Sequence, residues 1–109
     1  MLRYLTSAGF FAIMLAALNS AAAADAAAGK TKAGKCRVCH GLDGLAKNPD
    51  APNLAGDSAN YIRKQLSAYR SGERKDPQMT VMAKGLSDDD IADLAAWYSS
   101  LKVTVEMPK

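Results

Sequence analysis

Aromatic side chains are scarce in this 109-residue sequence, at 6% of the whole, and it holds only two cysteines and one histidine. Two cysteines are too few for a disulfide-rich scaffold. A single histidine excludes any site that needs two imidazoles from this chain. The formal charge is only +3, far from the concentrated basic surface that nucleic-acid binding requires. A membrane-spanning run is also missing. The unbroken apolar stretch, residues 8–18, is 11 residues long, whereas a spanning helix takes about 20.

That stretch has another reading. It follows one positive charge, Arg3, and precedes small residues ending in Ala22-Ala23-Ala24. This is the order of a secretory signal peptide, so residues 1–24 are expected to be cleaved and residues 25–109 to form one exported domain. Loss of Arg3 lowers the formal charge to +2. Four aromatic residues then remain, Tyr61, Tyr69, Trp97 and Tyr98. A domain this small and this poor in bulky side chains needs a disulfide, a metal or a cofactor to complete its interior.

The patterning predicts helices and no strand. Residues 25–39 are Ala-rich and free of proline, which favours one helix with a weak apolar face. Asn48-Pro49-Asp50-Ala51-Pro52-Asn53 is turn chemistry. Tyr61, Ile62, Gln65, Leu66 and Tyr69 recur at helical spacing after Ser58, and Gly72 is placed to stop that helix. Residues 73–85, with Pro77 inside, read as a charged loop carrying Met79 and Met82. Ser87 followed by Asp90 is a short-armed capping box, with Asp88 and Asp89 at the positive end of the helix dipole. Ile91, Leu94, Ala95, Tyr98 and Leu101 make the apolar stripe of the helix it starts. Residues 102–109 read as a frayed tail.

The chemistry is concentrated in Cys36-Arg37-Val38-Cys39-His40. Positions three and four apart share a helix face, so both sulfurs and the imidazole can point one way. Covalent haem attachment needs two thiols for thioethers and an adjacent imidazole for the iron, and this five-residue pattern is its signature. A thioredoxin-like pair would expect a neighbouring βαβ pattern, and zinc would need a carboxylate as fourth ligand. A plain disulfide leaves the histidine and the thin core without a role. With no second histidine, a methionine thioether is the usual ligand opposite His40. Met1 and Met14 leave with the leader and Met107 lies in the tail, so Met79 and Met82 remain equal candidates by position.

Together with Gly41 after the motif, Ala51-Pro52-Asn53-Leu54-Ala55-Gly56, residues 61–66 and residues 79–93 with Leu86-Ser87-Asp88, the sequence resembles a class I monohaem bacterial cytochrome c. The likeness is to the short c-553 type, which is similar to one half of a dihaem periplasmic cytochrome. It implies an all-α fold, three main helices and loops wrapped around one covalent haem c. It also implies that Cys36 and Cys39 hold the haem and that His40 and Met79 are the axial ligands. In the family it resembles, the ligand lies seven residues before the leucine that precedes the capping serine, here Leu86, so the resemblance implies Met79 over the runner-up Met82. The Pro52 carbonyl is expected to accept from His40, and Gly29 to allow close contact with the Ala95 and Tyr98 side of the last helix. Relatives often carry a bulkier side chain at Ala33, so that contact is expected to be thinner here.

Trp97, Tyr61 and Tyr69 are expected to pack around the ring or to reach its propionates. The function implied is a periplasmic one-electron carrier, not an enzyme, with a redox donor and acceptor such as an oxidase, reductase or dehydrogenase as partners. It would bind no nucleic acid and keep no membrane span after cleavage. Lys30, Lys32, Lys35, Arg37 and Lys47 gather around the motif and would steer an acidic partner. Two other readings are a cytochrome subunit of a larger dehydrogenase, and a haem enzyme or gas sensor with an open iron site.

Overall fold

Helix α1, Ala26–Lys32, starts where Asp25 accepts from the Ala27 and Ala28 amides, at 2.8 and 3.3 Å. A carboxylate there satisfies orphan donors and sits at the positive end of the helix. The computed structural model describes residues 23–109. The expected leader therefore lies outside the described residues, apart from positions 23 and 24.

The single helix expected over residues 25–39 is instead three pieces. After α1 comes a 3₁₀ turn, Ala33–Lys35, and then α2, Arg37–His40. Gly34 lies at the break, and glycine has the weakest hold on helical backbone of any residue but proline. Helix α3, Ala59–Ser71, follows the expectation at both ends: Ser58 Oγ accepts from the Tyr61 amide at 3.1 Å, and Gly72 closes it in the left-handed conformation. Its inward face carries Ile62, Leu66 and Tyr69, while Tyr61 points outward and is half exposed.

Residues 73–85, expected to be a loop, contain helix α4, Met79–Lys84. Asp76 Oδ1 accepts from the Gln78 and Met79 amides, at 2.9 and 2.8 Å, and the Asp76 amide donates to Thr80 Oγ1 at 2.9 Å. Pro77 adds a preset φ inside that turn. The stretch is too short to display a periodicity. Helix α5, Asp88–Ser100, has the full reciprocal cap: the Asp90 amide donates to Ser87 Oγ and the Ser87 amide to Asp90 Oδ2, each at 3.0 Å. Among the described residues there is no strand.

Helix α5 is the centre of the packing. Ile91, Leu94, Ala95 and Tyr98 are buried on it, and α1 and α3 both pack against it. Gly29 of α1 lies tight against α5, where an added Cβ would meet the backbone of Asp93 and the Cβ of Trp97. Ala33 is fully buried in the same cluster. Arg70 of α3 donates to the Leu86 carbonyl at 3.0 Å and to Asp88 Oδ1 at 2.6 Å, fastening α3 to the start of α5.

Charge joins α1 to α5 as well. Lys32 Nζ lies 2.7 Å from Asp93 Oδ2 and 2.9 Å from Asp90 Oδ1, and the Asp25 amide donates to Asp93 Oδ1 at 2.8 Å. The Ser87 amide and then Lys32 hold the Asp90 carboxyl down to about 2, and Lys32 and then the Asp25 amide lower Asp93. Lys32 is raised by its bonds to both. A carboxylate whose pKa is lowered in the fold stabilises it above the unfolded pKa, about 3.9, and that contribution drains away as pH falls through the folded value. The thermal midpoint of the haem-loaded protein is therefore expected to fall between about pH 4 and pH 2, and Asp90→Asn to flatten that fall. An acid limb unchanged by Asp90→Asn in calorimetry would show that the network contributes nothing there.

Candidate haem attachment site

Helix α2 is one turn built around the motif. The His40 amide donates to the Cys36 carbonyl at 3.0 Å, and Gly41 to the Arg37 carbonyl at 2.9 Å. Positions 36, 39 and 40 consequently share a side of the turn. Both cysteines are half-buried and unpaired, and Cys36 packs against the apolar cluster. Burial pushes the Cys36 thiol up, and Lys35 only partly opposes this. A neutral thiol is the reverse of the activated thiolate that a redox pair or a metal-thiolate site uses.

His40 is buried, and its Nδ1 lies 2.9 Å from the carbonyl oxygen of Pro52. A carbonyl only accepts, so Nδ1 carries the hydrogen and the lone pair is left on Nε2. Such a bond orients an imidazole and raises its strength as a metal donor. The chain leaving His40 is tied to α5 twice. Tyr98, 2% exposed, donates through its hydroxyl to the Gly41 carbonyl at 3.1 Å, and Trp97 Nε1 donates to the Leu42 carbonyl at 2.9 Å. Burial raises the Tyr98 hydroxyl well above the usual phenol range, which keeps it a donor at any working pH.

The Trp97 N–H is thus taken by Leu42. The part played by Tyr98 was not foreseen from the sequence, although a buried tyrosine always calls for a partner for its hydroxyl.

Met79 opens α4 and packs, half-buried, against the apolar cluster. Met82 stands one turn further along the same helix, also half-buried, and Met107 is 78% exposed. Cys36, Cys39, His40 and Pro52 thus form one bonded unit, and the two methionines belong to a separate element. Of the five basic residues near the motif, three are engaged within the chain. Lys32 holds Asp90 and Asp93, Lys47 lies 3.5 Å from Asp43, and Lys30 lies over the Trp97 ring at 5.5 Å.

This donor set fits a covalent haem. Two thiols share one helical turn, a buried imidazole presents its free lone pair beside them, and a thioether packs on the same cluster. The described core is thin in bulky side chains: of its nine buried apolar residues three are alanine, and the largest fully buried side chains are Tyr98 and Leu94.

Comparison with known proteins points the same way. Residues 26–102 match the cytochrome c family model. The chain is 56% identical over 81 residues to cytochrome c-554(548) of Halomonas halodenitrificans, covering 72% of this chain and 98% of that protein. It is 45% identical over 86 residues to cytochrome c4 of Pseudomonas aeruginosa, covering 79% of this chain and 43% of that one. The crystal structure of reduced recombinant cytochrome c4 from Pseudomonas stutzeri superposes with a TM-score of 0.70 at 41% identity, covering 76% of this chain and 48% of that one. The chain therefore spans nearly the full length of the first relative and about half the length of the cytochromes c4. With its helices, its attachment turn and these relatives in agreement, the chain belongs to the cytochrome c family, electron-transfer proteins that carry haem c bound covalently.

Proposed function

We propose that this protein is a periplasmic one-electron carrier whose Cys36 and Cys39 hold haem c as thioethers and whose His40 and Met79 fill the two axial positions. The observation that carries the reading is the His40 Nδ1 bond to the Pro52 carbonyl, which aims a lone pair from the same turn that holds both thiols. When bound, haem c supplies one-electron cycling of its iron between the ferrous and ferric states. The residues of the chain do the rest. Pro52 keeps the imidazole oriented and strengthens it as a donor. Met79 offers a soft, neutral sulfur, and a methionine and histidine pair favours the reduced state. With His40 engaged on both ring nitrogens, no imidazole is left as a general base, so the site suits electron passage better than catalysis.

Export is proposed from the apolar run 8–18 and the small residues before Asp25, with cleavage after Ala24. No described helix is long and apolar enough to cross a membrane. Partners are proposed to be redox proteins. Lys35 and Arg37 are exposed beside the attachment turn, with no ion pair among the described residues, and form the basic surface left for an acidic partner.

Ligation can be read optically. Ferric protein is expected to show the weak red methionine-to-iron band, and ferrous protein to resist carbon monoxide. Met79→Ala should abolish the band and admit carbon monoxide, while Met82→Ala should keep both properties of the parent. Loss of the band in Met82→Ala alone would move the ligand to Met82. Rapid carbon monoxide binding by the parent protein would favour the open-site reading instead.

A further inference from the structure

What aims the Pro52 carbonyl at His40 is not Pro52 itself. The pyrrolidine ring locks φ, but the direction of the carbonyl depends on ψ, the torsion on the other side of the Cα. That torsion is decided by where residue 53 is held. Pro52 is exposed in a stretch without regular structure, so nothing buried on its own side chain supplies the constraint.

The following residues supply it. Asn53 Oδ1 accepts from the Ala46 amide at 2.7 Å, across the loop. The Leu54 and Ala55 amides both donate to the Gly44 carbonyl, at 2.8 and 3.1 Å. The far side of the loop is itself tied to the attachment turn, because the Lys47 and Asn48 amides donate to the Cys39 carbonyl at 2.8 and 3.2 Å. A closed circuit results, running from Cys39 to residues 46–48, across the Asn53 side chain to Pro52, and back to His40. Within it Asn53 makes the side-chain link nearest the Pro52 carbonyl.

We propose that Asn53 is a positioning residue for the axial imidazole, holding the Pro52 carbonyl on His40 Nδ1 through its bond to the Ala46 amide. The inference rests on the reading of His40 as an iron ligand. The backbone bonds of Leu54 and Ala55 to Gly44 remain when Asn53 is changed, so the effect is a loosening and not a loss.

The test uses the haem-loaded protein and the variants Asn53→Leu and Asn53→Asp. Leucine removes the acceptor and aspartate keeps it. Asn53→Leu is expected to speed solvent exchange of the His40 Nδ1 hydrogen, read by NMR, about threefold to tenfold, as one lost hydrogen bond allows. It should also raise the reduction potential, because a less firmly bonded Nδ1 makes Nε2 a poorer donor to ferric iron. Asn53→Asp should return the exchange rate to that of the parent. Asn53→Leu that lowers the thermal midpoint yet leaves exchange and potential unchanged would overturn the proposal and reduce Asn53 to a turn former. Equal acceleration in both variants would overturn it too. The parent's optical spectrum separates the two layers, since absence of histidine and methionine ligation there defeats the underlying reading, whatever Asn53 does.

Discussion

Gly29→Ala is expected to destabilise the haem-loaded protein by about 3 kcal/mol, the upper end of what overpacking costs, because the neighbour cannot yield. A Cβ on Gly29 would run into the carbonyl oxygen of Asp93, with that carbonyl's carbon at 2.6 Å and the Trp97 Cβ at 2.9 Å. These atoms are backbone and Cβ of α5 and cannot swing aside. Relief requires α1 to move off α5, which pulls Lys32 away from Asp90 and Asp93 and the Asp25 amide away from Asp93. In a domain of this size the loss corresponds to a fall in the thermal midpoint of about 12 °C or more. Gly34→Ala is the control: an added Cβ there has no heavy atom within 4 Å, and its φ lies outside the left-handed range. It should be neutral or stabilising by up to about 1 kcal/mol. A Gly29→Ala midpoint within two or three degrees (~2–3 °C) of the parent's would contradict the seating of α1 on α5.

Exported protein lacking both thiols should not reach a stable fold. In Cys36→Ala with Cys39→Ala, the interior must be completed by the nine buried apolar residues among those described, three of them alanine. Chains of this length seldom manage that without a disulfide, a metal or a cofactor. His40 is buried in the same region, and without a metal on Nε2 it leaves a polar ring beside that thin core. The parent protein from cells able to mature such proteins should have the mass of a chain beginning at Asp25 plus one haem. The double variant should be colourless, scarce and without a sharp melting transition. A cooperative transition in the colourless variant would show that the polypeptide does not need the ring to fold. A parent mass equal to bare polypeptide would remove the basis of the functional reading.

Elements whose determinants are local could be read directly. The start of α5 follows from Ser87 and Asp90, because a capping box is complete within four residues. The limits of α3 follow from Ser58 and Gly72, and the attachment turn from the spacing of Cys36, Cys39 and His40. Helix α4 escaped because six residues carry no period to detect. Its signal was Asp76-Pro77 with Thr80, a side-chain acceptor and a preset φ in front of a short turn. Composition favours helix throughout residues 25–39, while the break at Gly34 goes with the full burial of Ala33 beside it. Tyr61 falls in the series that recurs at helical spacing, yet it is half exposed. Position 61 lies at the margin of the α3 stripe, and only the placement of α5 shows which margin faces water.

Fold class and cofactor chemistry are carried by patterns spanning a few positions, which is why they were legible before any coordinates. The clasp of α5 on the chain behind His40 and the pairing of Lys32 with α5 were not, whereas the bond from His40 to Pro52 was expected from the resemblance. Those missed features join residues far apart in the chain: Leu42 with Trp97 at a separation of 55, Gly41 with Tyr98 at 57, and Lys32 with Asp93 at 61. Bonds of that span form only once packing has met the entropic cost of closing the loops between their ends, so the choice among possible partners belongs to the folded molecule.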